Sequence, residues 1–154
     1  MGFEFSIGFI NMSEQNLWYK VKAGLEVFGH IQRVETGAIA AGVPDVNYCI
    51  EGGYEGWLEL KRGSIPARES TIVFKSQRGL EPSQVDWLLI RSKVGGRCFV
   101  LIQLDKEMLL FAGYDAARIN TSTIVELREL AIWKHEGPCK QETWRQLKTC
   151  LTIL

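Results

Sequence analysis

Histidine and cysteine are scarce and scattered in this chain, with two of the former and four of the latter among 154 residues. Cys49, Cys98, Cys139 and Cys150 form no Cys-x-x-Cys pair, and neither His30 nor His135 stands at zinc-ligand spacing from them. That pattern excludes a zinc finger and a dithiol redox motif. Cys49 and Cys98 lie in apolar, strand-like runs and are expected to be buried thiols, which fits a reducing, cytoplasmic setting. Long apolar runs are missing too, so no membrane-spanning helix is expected. The opening Met1-Gly2-Phe3-Glu4-Phe5 has no basic segment of the kind that begins a signal peptide. No Gly-x-x-x-x-Gly-Lys-[Ser/Thr] is present, so no nucleotide cofactor is expected, and no Gly-x-Ser-x-Gly or Cys–His arrangement points to a covalent nucleophile. Repeats and low-complexity linkers are absent as well. With 46% hydrophobic residues, residues 1–154 are expected to form one compact domain.

An excess of one charge is also lacking, since 18 basic residues balance 18 acidic ones. The distribution is less even than the total. Residues 1–60 carry three basic and eight acidic side chains, residues 61–97 carry eight and three, and residues 98–154 carry seven of each. The basic middle segment is a candidate for contact with phosphates.

Just ahead of that segment, and running into it, lies the most informative stretch, Gly42-Val43-Pro44-Asp45, followed after a glycine-rich turn (Gly52, Gly53, Gly56) by Trp57-Leu58-Glu59-Leu60-Lys61. Residues two apart on a strand share a face, so Glu59 and Lys61 project together while Leu58 and Leu60 project into an apolar layer. Alone, a Glu-x-Lys reads as a solvated ion pair, because alternation produces it on any antiparallel sheet with one wet face. Should Asp45 lie beside Glu59 on the neighbouring strand, two carboxylates and an ammonium meet at one spot. Such a group can hold a hard divalent cation next to a phosphodiester.

This combination resembles the signature of the PD-(D/E)XK nuclease superfamily, in particular the small Holliday junction resolvases of phages and archaea and the virus-type replication-repair nucleases. The resemblance implies an α/β, restriction-endonuclease-like fold with a mixed central sheet flanked by helices. It implies a DNA endonuclease dependent on Mg²⁺, with Mn²⁺ able to substitute. Asp45, Glu59 and the backbone carbonyl of Leu60 would be metal ligands, and Lys61 would orient the attacking water and stabilise the developing charge. A further glutamate on the first helix is implied at the metal site: Glu14 is favoured, with Glu26 and Glu35 as alternatives. Helix-dipole stabilisation alone would also account for Glu14. In the replication-repair type a glutamine on the helix after the motif faces the site, which points to Gln84 in Pro82-Ser83-Gln84-Val85-Asp86-Trp87. Trp87 itself reads as core. A chain of this size with one site suggests a homodimer that cuts both strands of a four-way DNA junction. Lys20, Lys22, Arg33, Arg62, Arg68, Lys75 and Arg78 would then meet DNA. A flap, single-strand or restriction-type nuclease is the nearer alternative, and a non-catalytic nucleic-acid-binding domain the more distant one.

Periodicity divides the rest. Ser13 is an apt N-cap, and Leu17, Val21, Leu25 and Phe28 recur at helical spacing up to Gly29. Strands are expected at 31–36, at 43–50 and 56–62 as a hairpin, at 71–75, at 98–104 and at 108–112. Pro82 opens a second helix that Gly95-Gly96 closes, and a last helix starts near Pro138 and carries Trp144, Leu147 and Leu151. Segment 123–133, with Phe111, is a candidate face for the dimer.

Overall fold

The computed structural model describes residues 2–35 and 40–153, with side chains from residue 14 onward. A helix, α1 (Gly2–Leu25), continues through a 3₁₀ turn (Glu26–Phe28) into β1 (Gly29–Arg33). Then come β2 (Val46–Ile50), β3 (Tyr54–Gly63), α2 (Pro82–Lys93), β4 (Cys98–Leu104) and β5 (Glu107–Ala112). The chain ends with a 3₁₀ turn (Gly113–Asp115), α3 (Ala116–Ile119), α4 (Ile124–Leu130), β6 (Trp133–Glu136) and α5 (Gln141–Leu151). Six strands form one sheet in sequential order. Every pairing is antiparallel except β3 with β4, which run parallel because α2 returns the chain across the sheet between them. This is a mixed α/β sheet flanked by helices.

Each face of the sheet is buried under its own helices. On one side Leu17, Val21 and Leu25 of α1, with Trp144, Leu147 and Leu151 of α5, cover Val46, Tyr48, Leu58, Leu60, Phe99 and Leu101. On the other side Leu88 of α2, Ile119 of α3, and Ile124 and Leu127 of α4 cover Val100, Ile102, Leu104, Leu109 and Phe111. A strand covered on both sides calls for apolar residues along its length, and β4 largely obeys, with all seven residues buried and Gln103 its one polar residue. β3 departs from the rule: Glu59 and Lys61 replace apolar residues on the α2 face, level with Val100 and Ile102 of β4.

Several expectations from the sequence are corrected here. The first helix does not begin at Ser13, which lies within α1. Residues 71–75 form no strand. Val73 and Phe74 are buried, but the segment crosses in turns and touches a strand partner only through an isolated bridge between Ile72 and Thr123. Burial, not ladder pairing, makes that stretch apolar. The strand expected at 31–36 ends at Arg33, and residue 36 lies outside the described residues. Cys49 is half-buried, since alternation along β2 turns it away from the core that holds Tyr48 and Ile50. Phe111, Ile124 and Leu127 belong to the core and leave no apolar dimer face at those positions. The helix α4 is not among the elements expected from periodicity, although Thr123-x-x-Glu126 opens it: Thr123 Oγ1 accepts from Glu126 N–H, and the Glu126 carboxylate accepts from Thr123 N–H, a capping box.

No helix among the described residues is long and apolar enough to cross a membrane. The chain's last helix is tied down by a buried tyrosine. Tyr48 Oη donates to the Leu151 carbonyl over 2.7 Å, with burial pushing its ionisation far above the usual phenol range. Tyr48→Phe deletes that bond at the end of α5 and should cost about 1 kcal/mol. Urea unfolding would measure it, and an unchanged midpoint would show that the bond contributes nothing.

Candidate active site

Asp45 immediately precedes β2, and the register that sets Val46 against Leu58 brings Asp45 level with Glu59 on β3. One oxygen of Asp45 accepts the backbone N–H of Leu60 at 2.9 Å, which pins the aspartate to the strand carrying the other two motif residues. The turn that delivers Asp45 is fixed from behind. Gly42 has φ +89°, and a Cβ there would lie 2.2 Å from the Ser83 carbonyl oxygen. The turn therefore rests directly on the first turn of α2, at the backbone of Ser83 and Gln84. Only glycine supplies both the positive φ and the close approach. The spacing of the motif anticipated an acid at a turn, but not that α2 is its seat.

Gln84 completes the arrangement with both ends of its amide. Its Oε1 accepts Glu81 N–H at 2.8 Å, closing the start of α2, and its Nε2 donates to Glu59 Oε1 at 2.8 Å. Glu59 is 1% exposed, and its Oε2 is buried without any hydrogen-bond partner. Burial holds this carboxyl well above the ordinary range, the adjacent Asp45 pushes it the same way, and the charge of Lys61 opposes both. Lys61 is itself only 5% exposed, yet no ion pair closes between it and either carboxylate. The pattern is not that of a solvated surface pair. A buried carboxylate with an unused oxygen, facing a second carboxylate, is a setting that a cation would fit.

Among the described residues no three His, Cys, Asp or Glu side chains converge tightly enough to hold an ion alone. A divalent ion would rest on Asp45 and Glu59 together with backbone oxygen and solvent, a donor set that suits Mg²⁺, which retains several waters. The unfilled Oε2 of Glu59 fits that use.

Glu14 lines a small cleft of about 20 Å³ with Trp18, Arg33, Asp45 and Leu60. The structure thus brings Glu14 and Arg33 to Asp45, on the α1 side of the motif, while Gln84 and Lys61 flank Glu59 on the α2 side. Glu26 is exposed on the 3₁₀ turn and Glu35 is exposed after β1, and neither lines this cleft. Lys22, Arg68 and Lys75 are exposed, as is Arg78, which pairs with Glu81 at the start of α2. Arg62 is half-buried. Lys20 lies apart: the cavities it lines are bounded by Trp144, Cys139 and Gln103 and share no residue with the Asp45 cleft. Trp87, expected in the core, is half-buried and packs its edge on Trp57.

No family model and no curated protein matches the chain. Among solved structures it is similar to a VRR_NUC domain, with 20% identity over 59% of this chain and 84% of that one, at a TM-score of 0.44. It is also similar to the Holliday junction resolvase Hjc of Archaeoglobus fulgidus, with 19% identity over 65% of this chain and 74% of that one, at a TM-score of 0.41. Both are likenesses of fold. The α/β architecture with a mixed central sheet flanked by helices, expected from the sequence, is the one observed, and the chemistry of the site rests on its own residues.

Two outcomes test the geometry. Because the native Glu59 carboxyl is harder to ionise than the unfolded one, the native state holds its proton longer, and stability must fall as pH rises above the ordinary value near 4.5. Melting scans in EDTA should show that fall, Mg²⁺ should reduce it, and Glu59→Gln should flatten it. A wild-type profile as flat as that of the variant would remove the buried-charge account. Gly42→Ala should cost about 1–3 kcal/mol through its strained φ and the clash with Ser83, measured by denaturant unfolding; a loss under the lower figure would show that the turn does not rest on α2.

Proposed function

We propose that this chain is a divalent-metal-dependent DNA endonuclease, acting as a homodimer on branched DNA, foremost the four-way junction. The observation that supports it best is the buried Glu59 carboxylate, with one oxygen held by Gln84 and the other unfilled beside Asp45. Burying an uncompensated carboxylate costs several kcal/mol (~) in any protein, and such groups concentrate at sites of chemistry.

In this reading Asp45, Glu59 and the Leu60 carbonyl would hold Mg²⁺, with Mn²⁺ able to replace it, and Glu14 would approach it from α1 on the Asp45 side. A bound ion of this kind neutralises charge on the phosphoryl oxygens and makes a water acidic enough to attack at neutral pH. The protein's own groups set the geometry. Gln84 fixes the rotamer of Glu59, so its free oxygen does not swing away. Leu60 N–H holds Asp45 in the same way. Lys61, buried on the Glu59 side, offsets the negative charge that grows on the phosphorane-like transition state and orients the water. Arg33 stands at the mouth of the Asp45 cleft, where a phosphate of the bound strand would pass.

The junction and the dimer rest on chain size and on the motif's resemblance. One site per 17.5 kDa chain needs a twofold partner to cut two strands symmetrically. Lys22, Arg62, Arg68, Lys75 and Arg78 would line the DNA nearer the site and Lys20 would meet it farther away, and binding should weaken steeply with salt.

Labelled four-way junction, flap, linear duplex and single-stranded DNA, incubated with Mg²⁺ or EDTA, test the proposal. Cleavage should need the metal. Asp45→Asn and Glu59→Gln should abolish it while DNA still binds, and Lys61→Ala should slow it by about 10²-fold. Glu14→Gln should lower the rate strongly with little change in melting temperature. Wild-type cleavage by Glu59→Gln would end the assignment. Equal cutting of duplex and junction by a protein that sediments as a monomer would discard the junction and leave a nuclease of another substrate class.

A further inference from the structure

The row of side chains that starts with Glu59 and Gln84 continues past them. Trp57 lies two residues before Glu59 on β3, on the same face, and Trp87 lies three residues after Gln84 on α2. Their rings meet edge to face, with centroids 5.4 Å apart and planes at 65°. Arg91, one turn further along α2, lays its guanidinium over both rings, 4.5 Å from the Trp87 centroid and 5.9 Å from that of Trp57. A surface arginine is usually fixed by a carboxylate. Here, among the described residues, none pairs with Arg91, and the rings fix it instead. Its stem is seated as well, since a Cβ at Gly96 would come within 2.5 Å of Arg91 Cδ, and Gly96 N–H donates to the Arg91 carbonyl at 2.9 Å. Arg91 is thus exposed, with its guanidinium carbon held over the rings. Beside it Arg97 lies over the ring of Tyr54, 5.3 Å from its centroid, and Tyr54 is 41% exposed.

We propose that Arg91, stacked on Trp87 and Trp57, is a platform for an unpaired nucleobase of the strand whose backbone enters the carboxylate site. It would favour DNA in which a base next to the scissile phosphate can leave the duplex stack, at a flap or at a branch point. The inference deepens the nuclease reading and rests on it. Guanidinium planes and aromatic rings stack on any base, because every base offers a π face, but only on bases freed from a duplex stack. Two residues of strand separate Trp57 from Glu59, roughly 6–7 Å, so a base on the platform and a phosphate at the carboxylates belong to neighbouring positions of one strand. The arginine adds charge complementary to the phosphates, within the segment 61–97 where basic residues outnumber acidic ones eight to three.

The test uses the full chain in EDTA, so that binding is read without cleavage. The probes are labelled oligothymidylate, a duplex with a short unpaired flap, and a blunt duplex, with affinity from anisotropy and stacking from quenching of tryptophan fluorescence. Arg91→Ala should weaken the first two about tenfold, reduce the quenching, and leave the blunt duplex nearly unchanged. Arg91→Lys keeps the charge and loses the plane, so it should weaken the same two probes. Full restoration by lysine, equal weakening of all three probes, or weakening of none would overturn the platform. Cleavage in Mg²⁺ separates the two ideas. A protein that cuts DNA but whose Arg91 variants discriminate nothing loses the platform and keeps the nuclease reading. A protein that cuts nothing, yet loses oligothymidylate when Arg91 is replaced, keeps a base-stacking surface and loses the nuclease.

Discussion

A buried carboxylate with one free oxygen governs the arrangement around it. Glu59 sits on the face of β3 that α2 covers, and its 1% exposure means that water cannot solvate its charge. The protein offers a single amide donor, from Gln84, and places Asp45 where its charge makes ionisation harder still. Structural economy would put an apolar residue there, as β4 does at Val100 in the same row. The cost falls on stability and is partly offset by Lys61 and Gln84. A cation between the two carboxylates would relieve what remains, coupling metal binding to folding.

The surrounding fold can be read as the support for that pair. Parallel pairing of β3 and β4 requires a crossover, and the crossover helix is α2, so the strand bearing Glu59 and Lys61 necessarily has α2 passing over one face. The first turn of that helix then does three things at once. Gln84 closes the helix start through Glu81 N–H, reaches Glu59 with its other end, and offers a backbone surface on which Gly42 lies without a side chain between. Asp45 follows Gly42 by three residues, so the position of one carboxylate depends on the helix that pins the other. Moving α2 by a fraction of an ångström would disturb both together.

How far this was legible in the sequence varies with the range of the interaction. Glu59 and Lys61 on one face followed from strand alternation, and the pairing with Asp45 followed from a hairpin whose glycine turn was plain. Gln84 was named from a resemblance, although its dual hydrogen bonding was not visible. What remained hidden was contact between segments far apart in the chain. Gly42 reads as an ordinary turn glycine until Ser83 is seen behind it. Trp87 reads as core, and only the crossover shows it meeting Trp57 under Arg91. Residues 71–75 have the composition of a strand and the burial of one, but Val73 and Phe74 fill the space beside α3 and α4 without joining the ladder. Composition reports burial; it does not report what supplies the backbone hydrogen bonds.

The site also divides according to which side of the sheet each group approaches from. Asp45 is shared. On the α1 side it meets Glu14, Trp18 and Arg33 in a narrow cleft, and on the α2 side it meets Glu59 and, through it, Gln84 and Lys61. The apolar residues Leu58 and Leu60 separate the two, because they point into the α1 core while their neighbours point away. A group arriving from α1 can therefore reach Glu59 only by way of Asp45, at the edge where β2 begins and the sheet no longer blocks the path. At that edge groups that approach from the two sides of the sheet meet around Asp45. Their meeting there also explains why the acid at the edge sits in a turn held by Leu60 N–H rather than inside a strand, where alternation would commit it to one face alone.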